Sequence, residues 1–138
     1  MTIVEAQDSI IEIFEGLGDW LDKYEYITQL GREAETMDPG LRTEANTVSG
    51  CQSSVWITAE LLNGRVQYHT DSDALITRGL IALLMKVFNN RAPKEIVDAD
   101  LYFIYRIGLK ANLSPSRSNG LASIVKNMKR IAGSLINE

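Results

Sequence analysis

Cys51 is the only cysteine in the chain and His69 the only histidine. Sulfur or imidazole chemistry therefore has one candidate of each kind. A lone thiol closes no intramolecular disulfide. One thiol plus one imidazole also falls short of the ligand sets that hold zinc or an iron–sulfur cluster. What remains is nucleophilic chemistry by the Cys51 thiolate: exchange at another sulfur, or a thiol hydrolase reaction with His69 as base. The ordinary role of an isolated cysteine is a small buried hydrophobe. Cys51, however, stands in the run Ser49, Gly50, Cys51, Gln52, Ser53, whose neighbours are turn formers.

The elements around this run follow from periodicity. Thr2 and Glu5 form a capping-box pattern ahead of an apolar stripe at Ile3, Ile10, Ile13, Phe14 and Leu17. Gly16 and Gly18 end that helix. Asp19 caps a second, with Trp20, Tyr24, Ile27 and Leu30 on one face and Gly31 as its stop. Residues 32–43 read as a loop with a Pro39-Gly40 turn, and residues 44–48 as a short strand. Residues 54–62 alternate, placing Val55, Ile57, Ala59 and Leu61 on one side. Asn63-Gly64 is a two-residue hairpin signal, since both positions of a type I′ turn need positive φ. Residues 65–70 are the return strand.

A two-residue loop fixes the register: Leu62 opposite Arg65, Leu61 opposite Val66, Ala59 opposite Tyr68, Thr58 opposite His69. Val55, Ile57, Ala59, Leu61, Val66 and Tyr68 then share the buried face. His69 falls on the other face, so a Cys51–His69 pair requires the loop to fold back. Asp71 or Ser72 is the expected cap of a long helix with Ile76, Leu80, Leu83, Leu84 and Val87 inward, and Asp73 falls in its first turn. Pro93 opens a short helix to about Asp98; residues 101–107 form another, closed by Gly108. Ser114-Pro115 starts the last helix, which runs to about Ile136 with Leu121, Ile124, Val125, Met128, Ile131 and Leu135 as its apolar side. The expected fold is α+β: one domain over residues 1–138, a small antiparallel sheet packed against several helices.

Composition narrows the function classes. With 45% apolar residues, the 138-residue chain has enough for a core, and its net charge of -4 argues against nucleic acid as the main partner. No apolar run reaches the roughly 18–20 residues that cross a bilayer. Glu5, Asp8, Glu12 and Glu15 near the start do not fit a secretory signal, so a cytoplasmic protein with no membrane partner is expected. No bound cofactor and no metal are expected.

Asn46, Val48, Gly50, Cys51, Gln52, Ser53, Val55 and Trp56 resemble the sulfur-acceptor signature of the SufE family, N-x-V-x-G-C-Q-S-x-V-W. Two further blocks match: Asp71-Ser72-Asp73-Ala74 with Gly79 to Leu84, and Leu113 to Leu121. The resemblance runs in order from about Trp20 to about Ile131. One departure is Ala34-Glu35-Thr36-Met37, where relatives tend to carry a Leu-Pro pair. The resemblance implies a SufE/NifU-like fold. It also implies a chain that accepts persulfide sulfur on Cys51 from a pyridoxal-phosphate-dependent, SufS-like cysteine desulfurase. Such a chain stimulates the desulfurase and passes the sulfur to an iron–sulfur scaffold complex. It is a sulfur-transfer partner rather than a stand-alone enzyme.

The residues agree with that role. A sulfur carrier needs one thiol, no second thiol to resolve the persulfide, and a mobile loop, and Cys51 meets all three. No lysine or histidine adjoins it in sequence, which makes it a modest nucleophile that the partner's site must activate. Arg117 is the candidate to steady an anionic persulfide or grip the desulfurase. Gly50, Gln52, Ser53 and Asp73 are candidates to support the loop or meet the partner. Cys51 is expected to point inward in the free protein, into a recess formed by Val48, Val55 and the helix that follows, and to swing out on docking. The competing readings are an iron–sulfur scaffold, which needs about three cysteine ligands, a Cys51–His69 hydrolase, and an adaptor in which Cys51 is inert.

Overall fold

The computed structural model describes residues 1–136. Within them the chain forms seven α-helices around a two-stranded antiparallel sheet, the α+β architecture expected from the sequence. Helix α1 (Ile3–Glu15) begins at the Thr2–Glu5 capping box, with both reciprocal bonds made, and ends at Gly16. Its core side is Ala6, Ile10, Ile11 and Phe14; Ile13, expected to face inward, is 40% exposed at the edge of that stripe. Gln7 is buried as well. Its Nε2 donates to the Asp100 carbonyl and its Oε1 accepts from Phe103 N–H, so both halves of the amide are satisfied.

Helix α2 (Trp20–Glu33) is capped by Asp19 but does not stop at Gly31. A Cβ on Gly31 would lie 2.4 Å from the Leu75 carbonyl oxygen, and one on Gly79 would lie 2.0 Å from that of Ile27. Both glycines are there so that α2 and α3 (Leu75–Phe88) can touch backbone to backbone. The remaining helices are α4 (Pro93–Asp98), α5 (Phe103–Arg106), α6 (Leu109–Asn112) and α7 (Pro115–Ser134). The predicted 101–107 helix is shorter than expected, and Gly108 breaks the chain with φ 84° before α6. Ser114 caps α7, its hydroxyl accepting from Arg117 N–H; α7 ends two residues before the expected Ile136.

Strands β1 (Val55–Leu62) and β2 (Arg65–Ser72) pair in the expected register, and Asn63 and Gly64 take φ 54° and 77°. Val55, Ile57, Val66 and Tyr68 are buried, while Ala59 and Leu61 are half-buried toward the turn. The Tyr68 hydroxyl donates to the Met128 carbonyl at 2.7 Å, tying the sheet to α7.

Two expectations fail at the end of the hairpin where Cys51 lies. Residues 44–48 are not a strand: Glu44–Asn46 is a turn of 3-10 helix, and only Thr47 bridges Trp56. Asp71, Ser72 and Asp73 do not begin α3. Asp71 and Ser72 are still paired with Trp56 and Val55, so β2 continues through them and α3 opens only after Ala74. Sheet pairing wins over capping there, and Asp73 lies in the connection, outside the helix.

Candidate functional site

Cys51 sits on the loop between Thr47 and β1, pressed against α7. Gly50 has φ 87°, a left-handed conformation that favours glycine, and a Cβ there would stand 2.6 Å from Ser123 Oγ. The backbone angle favours glycine at 50, and any side chain there would have to push the Ser123 hydroxyl aside. The loop turns the Cys51 side chain toward the helix. Its Sγ lies 3.5 Å from the Gly120 carbonyl oxygen, to which the thiol donates. The side chain is half-buried, as a sheltered thiol would be.

Beside the sulfur is a recess of about 40 Å³. Its walls include Thr77 and Leu80 from α3, Gly120, Leu121 and Ile124 from α7, and Arg117. Of the expected walls, the helix that follows contributes through Thr77 and Leu80, while Val48 and Val55 belong to the core and do not line the recess. The walls come mainly from α7, whose return beside the loop requires tertiary structure. Arg117 lines the recess. Gln52 accepts from the Ser116 hydroxyl at 3.1 Å, which ties the far side of the loop to the first turn of α7.

The other end of the loop is held by the segment that joins β2 to α3. Ser54 N–H donates to Asp73 Oδ1 at 3.0 Å, and the Ser54 carbonyl accepts from Asp73 N–H and the Ser72 hydroxyl. Asp73 therefore tethers the loop, and it does so from the connection and not from a first helical turn. Asp71, one pair inward, anchors a different stretch: its carboxylate accepts from Met37 N–H and the Arg42 guanidinium. Burial pushes the Asp71 carboxyl up, but the bonds from Met37, Arg42 and Ser72 N–H outweigh it and hold it below the usual range. Arg42 also lies over the Trp56 ring, 5.7 Å from its centre. The Asp71-Ser72-Asp73 block thus fixes both the residue 37–42 loop and the Cys51 loop.

His69 is not part of this arrangement. It is exposed on the outer face of β2, with Nε2 3.4 Å from Glu60 Oε1. It borders a separate groove of about 460 Å³ with Met37, Tyr68, Asp71, Arg78 and Met85. That groove is larger than the Cys51 recess, yet it brings no nucleophile to a base. The two side chains needed for a Cys–His hydrolase line different depressions. Among the described residues no group of three or more His, Cys, Asp or Glu side chains is placed to hold a metal ion.

The electrostatics of Cys51 follow from its surroundings. Burial pushes its thiol pKa above the ordinary 9.0. The carbonyl at its Sγ suits an S–H donor and would repel a thiolate. In this conformation the sulfur is protonated and weakly nucleophilic, so attack requires the loop to move or a partner to bring positive charge. Ser72, Gly120 and Ser123 serve the site, a role that the sequence reading gave to none of them. The signal that could have found Ser72 and Gly120 is their place in the two outer blocks of the signature; Ser123 lies outside them.

The family described as "SufE: Fe-S metabolism associated domain" matches residues 8–132. An uncharacterised SufE-like protein of Synechocystis is 42% identical over 120 residues, 87% of this chain and 76% of the relative. One from Rhizobium etli is 38% identical over 91% of this chain and 88% of its own length. A chloroplastic/mitochondrial SufE-like protein of Arabidopsis thaliana is 37% identical over 89% of this chain, which spans 33% of that longer protein. The solution structure of a hypothetical protein from Thermus thermophilus shares the fold, with a TM-score of 0.79 at 18% identity over 96% of this chain and 97% of that one. Of the described helices, none is long and apolar enough to cross a membrane. With its thiol loop, its anchoring block and these matches, the chain belongs to the SufE family of proteins associated with Fe-S metabolism.

Proposed function

We propose that this chain, as one domain over residues 1–138, is a sulfur acceptor that works with a pyridoxal-phosphate-dependent cysteine desulfurase. The observation that carries the reading is the setting of Cys51. The chain's sole thiol is half-buried on a loop held by Asp73 and Ser72 at one end and by α7 at the other, with a small recess at its Sγ. A structural cysteine would not need such tethers, and a scaffold would need more thiolates.

The step is exchange at sulfur. The Cys51 thiolate attacks the terminal sulfur of the desulfurase persulfide. A bond forms between Cys51 Sγ and that sulfur, the desulfurase S–S bond breaks, and its cysteine leaves as thiolate. The terminal sulfur keeps its proton and its oxidation level, so neither oxidant nor reductant is consumed. Clearing the desulfurase thiol in this way stimulates its next turnover. Release of the Ser54 tethers swings Cys51 out for attack, and their re-formation brings the new sulfur into the recess. Arg117, which borders the recess, steadies the anionic form of the persulfide once that proton is lost to solvent. The sulfur then passes to an iron–sulfur scaffold complex by the same exchange. A reducing compartment such as the cytoplasm keeps the carrier thiol free between cycles.

The test is desulfurase turnover, read as alanine formed from cysteine. Wild-type chain should raise the rate, and Cys51→Ser should not. Equal stimulation by both would show that Cys51 is inert and leave an adaptor role.

A further inference from the structure

Charge is sorted along this chain. Residues 1–50 carry eleven acidic and three basic side chains; residues 101–136 carry six basic and none acidic. The basic group lies on α5, α6 and α7, and α7 is the helix against which Cys51 rests. Some of the six are already engaged. Lys129 donates to the Ala99 carbonyl, Arg106 lies 3.8 Å from Glu15, and Arg117 borders the recess. Lys126 and Arg130 are exposed, and among the described residues neither has an acidic partner within 4 Å.

Helical geometry aligns these two with the thiol loop. Positions 119, 123, 126 and 130 fall within about 60° of one another around a helix with 100° per residue, and span about 16 Å along it. Asn119, Ser123, Lys126 and Arg130 therefore form one stripe on the solvent side of α7, while Leu121, Ile124 and Met128 face the core. Ser123 is also the residue that Gly50 touches. The stripe starts at the Cys51 loop and leads away from it, with its two free cations at the far end.

We propose that this stripe is a docking track for an acidic patch on the cysteine desulfurase, and that it orients the partner so that the persulfide arrives over Cys51. This rests on the sulfur-acceptor reading and adds the surface and its charge. Nucleic acid fits the stripe poorly, because two free cations neutralise few phosphates and the acid-rich remainder repels a polyanion. An anionic membrane fits poorly too, because the apolar residues of α7 point inward and leave nothing to insert. Opposite charge on a partner would speed encounter with the stripe, an effect that salt screens.

The test measures affinity for a SufS-like desulfurase at 50 and 500 mM NaCl. It compares wild type, the double variant K126E/R130E, and E12K/E25K as a control with charge reversed on α1 and α2. All the substituted side chains are exposed, so thermal unfolding should match wild type. At low salt K126E/R130E should bind about tenfold more weakly, and at high salt the gap should shrink to within about twofold. The control should bind no more weakly than wild type. At saturating desulfurase, K126E/R130E should still gain sulfur on Cys51. Wild-type affinity for K126E/R130E at low salt, with Cys51 still receiving sulfur, would overturn the docking track and leave the acceptor reading intact. No sulfur on wild-type Cys51 would overturn both. Binding to poly(U) or phosphatidylserine vesicles that is stronger than to desulfurase, and lost in K126E/R130E, would assign the stripe to another partner and overturn the proposal.

Discussion

Replacing Gly120 by alanine should make the protein more stable and a poorer keeper of sulfur. Gly120 lies inside α7, where glycine costs about 0.5–1 kcal/mol relative to alanine. The new Cβ would sit 3.7 Å from Cys51 Sγ and 3.8 Å from its Cα, ordinary contact distances that add no strain. Thermal unfolding should therefore shift up by about 2–4 °C for a chain of this size. The same methyl group enters a recess of about 40 Å³, the room that about three water-sized groups need. A persulfide sulfur denied that place loses burial worth about 0.8 kcal/mol, the figure for a methylene-sized group, or about fourfold in its sheltered population. The assay loads Gly120→Ala and wild type with sulfur, adds glutathione, and follows the decay of the added mass with time. Decay about fourfold faster in the variant is expected, together with the higher melting temperature. Identical decay would mean that the terminal sulfur does not use the recess, and a lower melting temperature would mean that the contact geometry at Gly120 is wrong.

Other substitutions probe the loop. Asp73→Ala removes the acceptor for Ser54 N–H, an exposed charge-assisted bond worth about 1 kcal/mol after solvent screening. Iodoacetamide should then label Cys51 about fivefold faster with little change in global stability, whereas an unchanged rate would exclude Asp73 as a tether. Gly50→Ala should cost about 2 kcal/mol in urea unfolding, from its left-handed φ and the close approach of Ser123, and Ser123→Gly in the same chain should recover part of the loss. A Gly50→Ala variant as stable as wild type would contradict the loop geometry. Because burial raises the Cys51 pKa, its labelling rate should reach half-maximum at a higher pH in the native chain than in urea. The corresponding contribution to stability is full below the unfolded pKa and is lost as pH rises through the native one. Wild type should therefore lose stability relative to Cys51→Ala at alkaline pH, and parallel pH curves for the two chains would refute the burial.

Much of this architecture was legible because it is local. Asn63-Gly64 determined the hairpin register, and with it the distance of His69 from the thiol loop. The Thr2–Glu5 box and Ser114-Pro115 marked helix starts where the structure has them. Other features depend on what arrives from elsewhere in the chain. Gly31 looks like a terminator until α3 is seen to press on it. Asp71 or Ser72 looks like a helix cap, and Asp73 like a first-turn residue, until strand pairing and the two loops claim them. The recess at Cys51 is built by α7, more than sixty residues away in sequence, so periodicity identifies the helix but not what it shelters. Cys51 itself was found from its uniqueness and its turn-forming neighbours, while its protonated state required the Gly120 carbonyl.

The most direct measurement is the intact mass of the protein after incubation with a cysteine desulfurase and cysteine. Wild type should gain one or more sulfur atoms, removable by a reducing thiol and located on Cys51, while Cys51→Ser should gain none and keep its stability within about 1 kcal/mol. A wild-type chain that stays unmodified while the desulfurase turns over and free sulfide accumulates would contradict sulfur transfer to Cys51.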